Sequence, residues 1–367
     1  MNRLEEVQAK LERIYCLLNE QKADCVFINQ LANYYWLTAG GEGRVGMDLR
    51  NAASSLLVTR QEVHVLTNNI EAPRLEQEAL AGLGFIFHTW PWYEPARGAR
   101  LQEELMDGMI CLSDTPGPGL IPAVQDIRKL RYALLLVEQE RLVVIGAAAA
   151  RAVEDSLKVV RPGMDEMEVT GLVSARLFAS DLTPTVLLVG SDERQMRYRH
   201  PLPTTRKLEK YVMLACCCRR GGLTVSLSRS IYFGKLPSEL AARQQAAAGV
   251  DGAMIARTRP GAAVKDILQA GIQAYAGAGY PGEWEFHHQG GAISYENRDY
   301  LALPQSEEMV QAKQAFAWNI TIQGTKSEDT FLVEEAGPRI VTAGGGWPAI
   351  TVEVEGTTIS RPAILES

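Results

Sequence analysis

One short unit occurs twice in this chain, and it constrains the fold more than any other feature. Arg161-Pro-Gly-Met-Asp-Glu and Arg259-Pro-Gly-Ala-Ala-Val-Lys-Asp each follow an alanine-rich helical stretch, and each precedes another helical stretch. Pro and Gly make the turn, and Asp165 stands where a helix N-cap belongs. A helix–turn–helix unit repeated in this way implies a duplicated domain. Strand-like segments follow each copy. Thr185-Val-Leu-Leu-Val and Tyr211-Val-Met-Leu-Ala come after the first, Ala315-Phe-Ala-Trp-Asn and Thr330-Phe-Leu-Val after the second. The C-terminal part is therefore expected to be α+β, a mostly antiparallel sheet with helices outside it. Trp347-Pro-Ala-Ile-Thr-Val-Glu-Val is expected to add a last strand.

A chain of 367 residues is long for one core, and two domains are expected, over 1–130 and 131–367. The first reads as a smaller α/β domain in which helices and strands alternate. Residues 3–22 have the apolar spacing of an amphipathic helix. Strands are expected at Cys25-Val-Phe-Ile, Ser54-Ser-Leu-Leu-Val-Thr, Val63-His-Val-Leu-Thr and Gly84-Phe-Ile-Phe-His, with a helix over 70–83. One long helix is expected from 124 to about 160, bridging the domains near 126–138. Gly40-Gly-Glu-Gly-Arg44 lacks the Gly-Lys-Ser/Thr of a phosphate loop. It is read as a turn or lid that brings Glu42 or Arg44 to a neighbouring subunit.

A net charge of −7 argues against a nucleic-acid partner. No apolar run is long enough to span a bilayer, and Met-Asn-Arg-Leu-Glu-Glu lacks the apolar core of a signal peptide, so a cytoplasmic protein is expected. The six cysteines form no Cys-x-x-Cys pair and are expected to be buried free thiols. A zinc site would need a second Cys/His pair at ligand spacing, which the sequence lacks.

Arg161-Pro-Gly-Met-Asp-Glu, Gly190-Ser-Asp-Glu-Arg with His200 and Pro203, and Glu328-Asp-Thr-Phe-Leu-Val occur in an order that resembles the M24 "pita-bread" superfamily of creatinase, aminopeptidase P and prolidase. The resemblance extends over nearly the whole chain. It implies a pita-bread C-terminal domain behind a creatinase-type N-terminal domain, and a homodimer. Members with metallopeptidase activity hold two divalent ions on two aspartates, a histidine and two glutamates. The resemblance places those five ligand positions at Ala215, Ser226, His288, Asn319 and Glu328, so only a histidine and a carboxylate remain. A pair of dications needs several anionic donors. No cofactor is therefore expected, and a single weakly bound divalent ion is the most this donor set would hold. Cys217 shares a strand face with Ala215 and is the one thiol in reach.

Creatinase, within the same superfamily, cleaves a C–N bond without metal. Its resemblance implies His200 as general acid/base, His288 as the group polarising the scissile bond, and Glu328 as binder of substrate or water. Glu296, Asn319, Tyr295 and Arg229 are candidate substrate-binding residues, although the planar fork of Arg229 also suits buried carboxylates. The activity expected is hydrolysis of an amide or amidine in a small molecule or short peptide. Two alternatives stand beside it: a ligand-binding protein without catalysis, and a true Xaa-Pro metallopeptidase.

Overall fold

A computed structural model describes residues 1–367, which divide into two compact units: Met1–Tyr132 with Gly221–Leu223, and Ala133–Arg220 with Thr224–Ser367. In the second unit the two Arg-Pro-Gly segments fold alike. Gly163 and Gly261 take φ of +89° and +84°, a left-handed conformation that favours glycine. Their N–H groups donate to Leu208 O and Val310 O, each at 2.8 Å. Two residues on, Asp165 bridges Lys207 and Ala263 bridges Met309. The helices Glu166–Ala179 and Val264–Gly277 start from these bridges, preceded by Leu136–Leu157 and Ser238–Arg257. Asp165 caps its helix reciprocally with Glu168, through bonds of 2.8 and 2.6 Å. The second copy has Ala263 at the cap and no side-chain bond there. The duplication read from the sequence is thus repeated in backbone conformation and pairing.

Two main sheets carry the second unit. One runs Ile364–Glu366, Leu223–Tyr232, Tyr211–Arg220, Thr183–Ser191; the other Tyr300–Leu301, Gly290–Ala292, Ala315–Trp318, Thr330–Glu334, Gly337–Ile340. They touch where Leu227 bridges Asp329 and Ser228 N–H donates to Glu328 O at 3.1 Å. The first unit is a six-stranded mixed sheet whose centre is Cys25–Gln30, flanked by Asn51–Val58 antiparallel and Cys111–Ser113 parallel. Helix Arg3–Gln21 buries Val7, Leu11, Ile14 and Leu18, one face at helical spacing.

Four expectations need correction. The long helix is two, Val124–Lys129 and Leu136–Leu157. Between them Leu134 N–H donates to Lys313 O at 3.0 Å and Leu135 N–H to Glu138 Oε2 at 2.7 Å, and these bonds draw the chain out of helix. The helix over 70–83 is an α turn, Ala72–Arg74, running into a π turn, Leu75–Ala79. The tail is more than a single strand. Ala349–Val354 and Thr357–Pro362 form a hairpin through Glu355 and Gly356, both at positive φ, and Ile364–Glu366 then pairs parallel with Leu223–Tyr232. All six thiols are free, but Cys16 lies exposed on its helix. No helix is long and apolar enough to cross a membrane. Glu42 and Arg44, expected on a lid, pair with each other at 3.3 Å, and Arg74 Nη1 donates to Glu42 O at 2.7 Å.

Candidate functional site

Strand alternation builds the site from the seam between the two sheets. Ser226 and Ser228, two residues apart, project to one side of their strand, and Arg229 projects to the other. Glu328 and Asp329 divide in the same way. Glu328 Oε1 accepts from Ser226 Oγ at 2.5 Å and Arg298 Nη2 at 2.9 Å, and Oε2 accepts from Ser228 Oγ at 2.6 Å. Burial pushes its carboxyl pKa upward. The charges of Lys326 and Arg298, with the two serine hydroxyls, outweigh that and bring it down to about 2.

Glu328 faces a cavity of about 350 Å³. His200, His288 and Asn319, all expected in the site, also line it, as do Ala215 and Ser226. So do Lys326 and Arg298, which the sequence reading did not single out. Lys326 is 3% exposed, and its single hydrogen bond goes to Asn319 Oδ1. It stands two residues before Glu328, the spacing that puts two side chains on one face of an extended chain. That spacing is a signal the sequence contains. Arg298 is thirty positions from Glu328 and carries no such signal.

A third addition is His287, which is buried. Its Nε2 lies 2.8 Å from His200 Nε2, and its Nδ1 lies 2.6 Å from His288 O. A carbonyl oxygen only accepts, so His287 Nδ1 carries the proton. His287 Nε2 then accepts from His200 Nε2–H, which leaves His200 Nδ1 with a free lone pair. Gly290 N–H donates to His288 Nδ1 at 3.3 Å, so His288 Nε2 carries the remaining proton. Burial first, and then nearby positive charge, lowers the pKa of all three rings, that of His288 to about 4. Each is neutral at pH 7. The site therefore sets a free imidazole base and an imidazole donor beside each other, with ring centroids 6.0 Å apart.

Three proposed substrate-binding residues are elsewhere. Arg229 is held behind the seam by Glu154 and Asp329, each at 3.0 Å, and by Thr342 O at 2.7 Å, so it serves the fold. Tyr295 is buried, and its hydroxyl donates to Glu138 Oε1 at 2.5 Å. Glu296 is half-buried and does not line the cavity.

The two-metal centre that the resemblance implies does not fit these residues. Ala215 offers no donor. Ser226 Oγ is turned to Glu328 and Asn319 Oδ1 to Lys326. Arg298 already pairs with the one carboxylate at 2.9 Å. Cys217 Sγ lies 3.2 Å from Ser226 Oγ, and burial pushes its thiol up to about 11, so it is no thiolate ligand at neutral pH. The donor nitrogens of His200, His287 and His288 do lie within 4.8 Å of one another, near enough to share one transition-metal ion.

The backbone at His288 is held by steric fit. Gly290 has φ of +90°, and a Cβ there would stand 2.2 Å from Ala317 O. Gly290→Ala is expected to cost at least about 2 kcal/mol, from overpacking added to an unfavourable φ. Denaturant unfolding measures it, and a cost below about 0.5 kcal/mol would show that the strand pair yields freely.

Known structures and sequences agree with this architecture. The Xaa-Pro dipeptidase from Bacillus anthracis superposes with a TM-score of 0.78 at 16% identity, covering 98% of this chain and 100% of that one. Dipeptidase PepE from Mycobacterium ulcerans gives 0.78 at 18%, covering 93% and 97%. A dipeptidase from Pyrococcus horikoshii OT3 gives 0.76 at 21%, covering 91% and 98%. At such identities the likeness is one of fold. No curated protein matches the sequence. Residues 140–335, more than half of the chain, match the metallopeptidase family M24. On that match, and on the duplicated pita-bread fold around the cavity, the chain belongs to family M24.

Proposed function

We propose that this chain is a metal-independent member of its family, hydrolysing a C–N bond in a small molecule or short peptide. The supporting observation is the hydrogen-bond polarity of the three imidazoles. His200 presents a bare Nδ1 lone pair, and His288 presents an Nε2–H. In this reading His200 Nδ1 takes a proton from water as the water oxygen adds to the scissile carbonyl. His288 Nε2–H stabilises the oxygen that becomes negative. The imidazolium of His200 then returns its proton to the nitrogen, and the C–N bond breaks. Glu328, first read as a binder of substrate or water, is reassigned. Arg298 already answers its charge, so it positions Arg298 and the two serines. A cationic amidine finds no free carboxylate here, which favours an amide over an amidine. The family resemblance also supports a homodimer, which sedimentation equilibrium would test.

The test is hydrolysis of a panel of dipeptides and N-acyl amino acids after exhaustive chelation, with metal analysis of the same sample. Turnover is expected to survive chelation and to fall at least about 100-fold in His200→Ala. The acid limb of the pH profile is expected below 6.5, because burial lowers the pKa of His200. A near-stoichiometric metal whose removal abolishes turnover would sink this reading and favour one ion shared by the imidazoles. A ligand-binding protein without catalysis is the second reading. It is favoured by Glu328, whose two oxygens are both engaged by protein groups, and binding without turnover across the panel would establish it.

A further inference from the structure

We infer that the ligand of this cavity carries a carboxylate, and that Lys326 supplies its counter-charge. The inference deepens the proposed function and rests on its reading of this cavity as the substrate site. Its basis is an excess of positive charge: Arg298 holds the close ion-pair position on Glu328, and Lys326, which shares that one anion at longer range, has no carboxylate within ion-pair distance. Lys326 is 3% exposed, faces the cavity, makes no ion pair, and spends one hydrogen bond on Asn319 Oδ1. An ammonium has three donors, and its charge is costly to bury without an anion.

Three other buried cations each sit against a carboxylate. Lys10, fully buried, pairs with Glu6 at 2.6 Å. Arg229 pairs with Glu154 and Asp329, and Arg361 with Asp251 and Asp329. At the cavity the only carboxylate is that of Glu328, and Arg298 holds it at 2.9 Å. Two cations against one carboxylate leave a single positive charge on a wall otherwise made of uncharged groups: imidazoles, thiols, two amides, a hydroxyl and apolar side chains. An anionic group completes this set and a cationic one is repelled. Asn319 adds discrimination. Its amide oxygen turns Lys326 toward one side, and the remaining ammonium hydrogens are left for a planar oxyanion. The substrate class is therefore an amide bearing a free carboxylate, such as an N-acyl amino acid or a short peptide with its C-terminus in the cavity.

Matched acid–amide pairs test this by isothermal titration of the full chain at constant ionic strength: acetate against acetamide, and N-acetylglycine against N-acetylglycinamide. Each acid is expected to bind at least about tenfold more tightly than its amide. In Lys326→Met the preference should fall below about twofold with amide affinity unchanged, and Lys326→Arg should restore part of it. Acids and amides binding equally to the native protein would overturn the inference, and that comparison needs no variant to fold. A preference that survives in Lys326→Met, or no binding of either acid, would overturn it as well. Acid-selective binding with no turnover of any amide leaves this inference standing and removes the catalytic reading. Turnover of acid and uncharged members of each pair at the same rate, with no preference for Lys326→Met to remove, does the reverse.

Discussion

Replacing Asp329 with alanine is expected to destabilise the protein by about 3–5 kcal/mol, the usual consequence of removing one partner from a buried ionic network. Asp329 is 3% exposed. Its Oδ1 accepts from Arg229 Nη1 at 3.0 Å and Thr342 Oγ1 at 2.8 Å. Its Oδ2 lies 3.1 Å from Arg361 Nη2, an ion pair by distance. The variant leaves both guanidinium groups one anion short, with Glu154 and Asp251 as their remaining carboxylates. The site depends on this arrangement because Asp329 and Glu328 are consecutive. Anchoring Asp329 behind the seam fixes which way Glu328 points. Urea unfolding should show the midpoint falling with the slope unchanged. A loss smaller than about 1 kcal/mol would mean that Arg229 and Arg361 find their support elsewhere.

The second large effect concerns Glu328 itself. Its pKa lies near 2 in the fold against an ordinary 4.5. A carboxyl with a depressed folded pKa adds stability that is present above its unfolded pKa and is lost as pH falls through the folded one. The window is thus about pH 4.5 to 2, and the contribution is about 3 kcal/mol at neutral pH from the size of the depression. Glu328→Gln is expected to remove it. The variant should be less stable at pH 7 by about that amount, because Lys326 and Arg298 would face each other with no anion between them. Its stability should also vary less than that of the native protein between pH 4.5 and 2. Thermal unfolding across that range reads both effects. Parallel pH profiles for the two proteins would contradict the charge balance drawn here.

The imidazoles act in a separate window. His288 has a pKa lowered to about 4 from an ordinary 6.5, so the unfolded chain binds a proton there first as pH drops. Stability is therefore expected to begin falling below about pH 6.5, well before Glu328 titrates.

Much of this was legible along the chain. The Arg-Pro-Gly turns, the cap at Asp165 and the alternating strands are local signals, and they reappear in the fold where the sequence put them. The misreadings share one cause. The break before Leu136 depends on Lys313, and the role of Tyr295 depends on Glu138, partners that are distant in sequence. Within the site, His200, His288, Asn319 and Glu328, named from the resemblance, line one cavity. His287 went unassigned because its significance comes from His200, 87 positions away.

The sequence by itself determined the duplicated α+β frame and that Ala215, Ser226 and Asn319 bring no carboxylate, because periodicity, turn chemistry and residue identity are properties of the chain. Only the tertiary structure decided what balances Glu328. Lys326 and Arg298 supply the positive charge beside it, and His287 and His200 take their hydrogen-bond direction from the His288 carbonyl while His288 takes its own from Gly290 N–H. The reason is electrostatic: a buried charge is answered by whichever group lies within a few ångströms, and folding sets that distance.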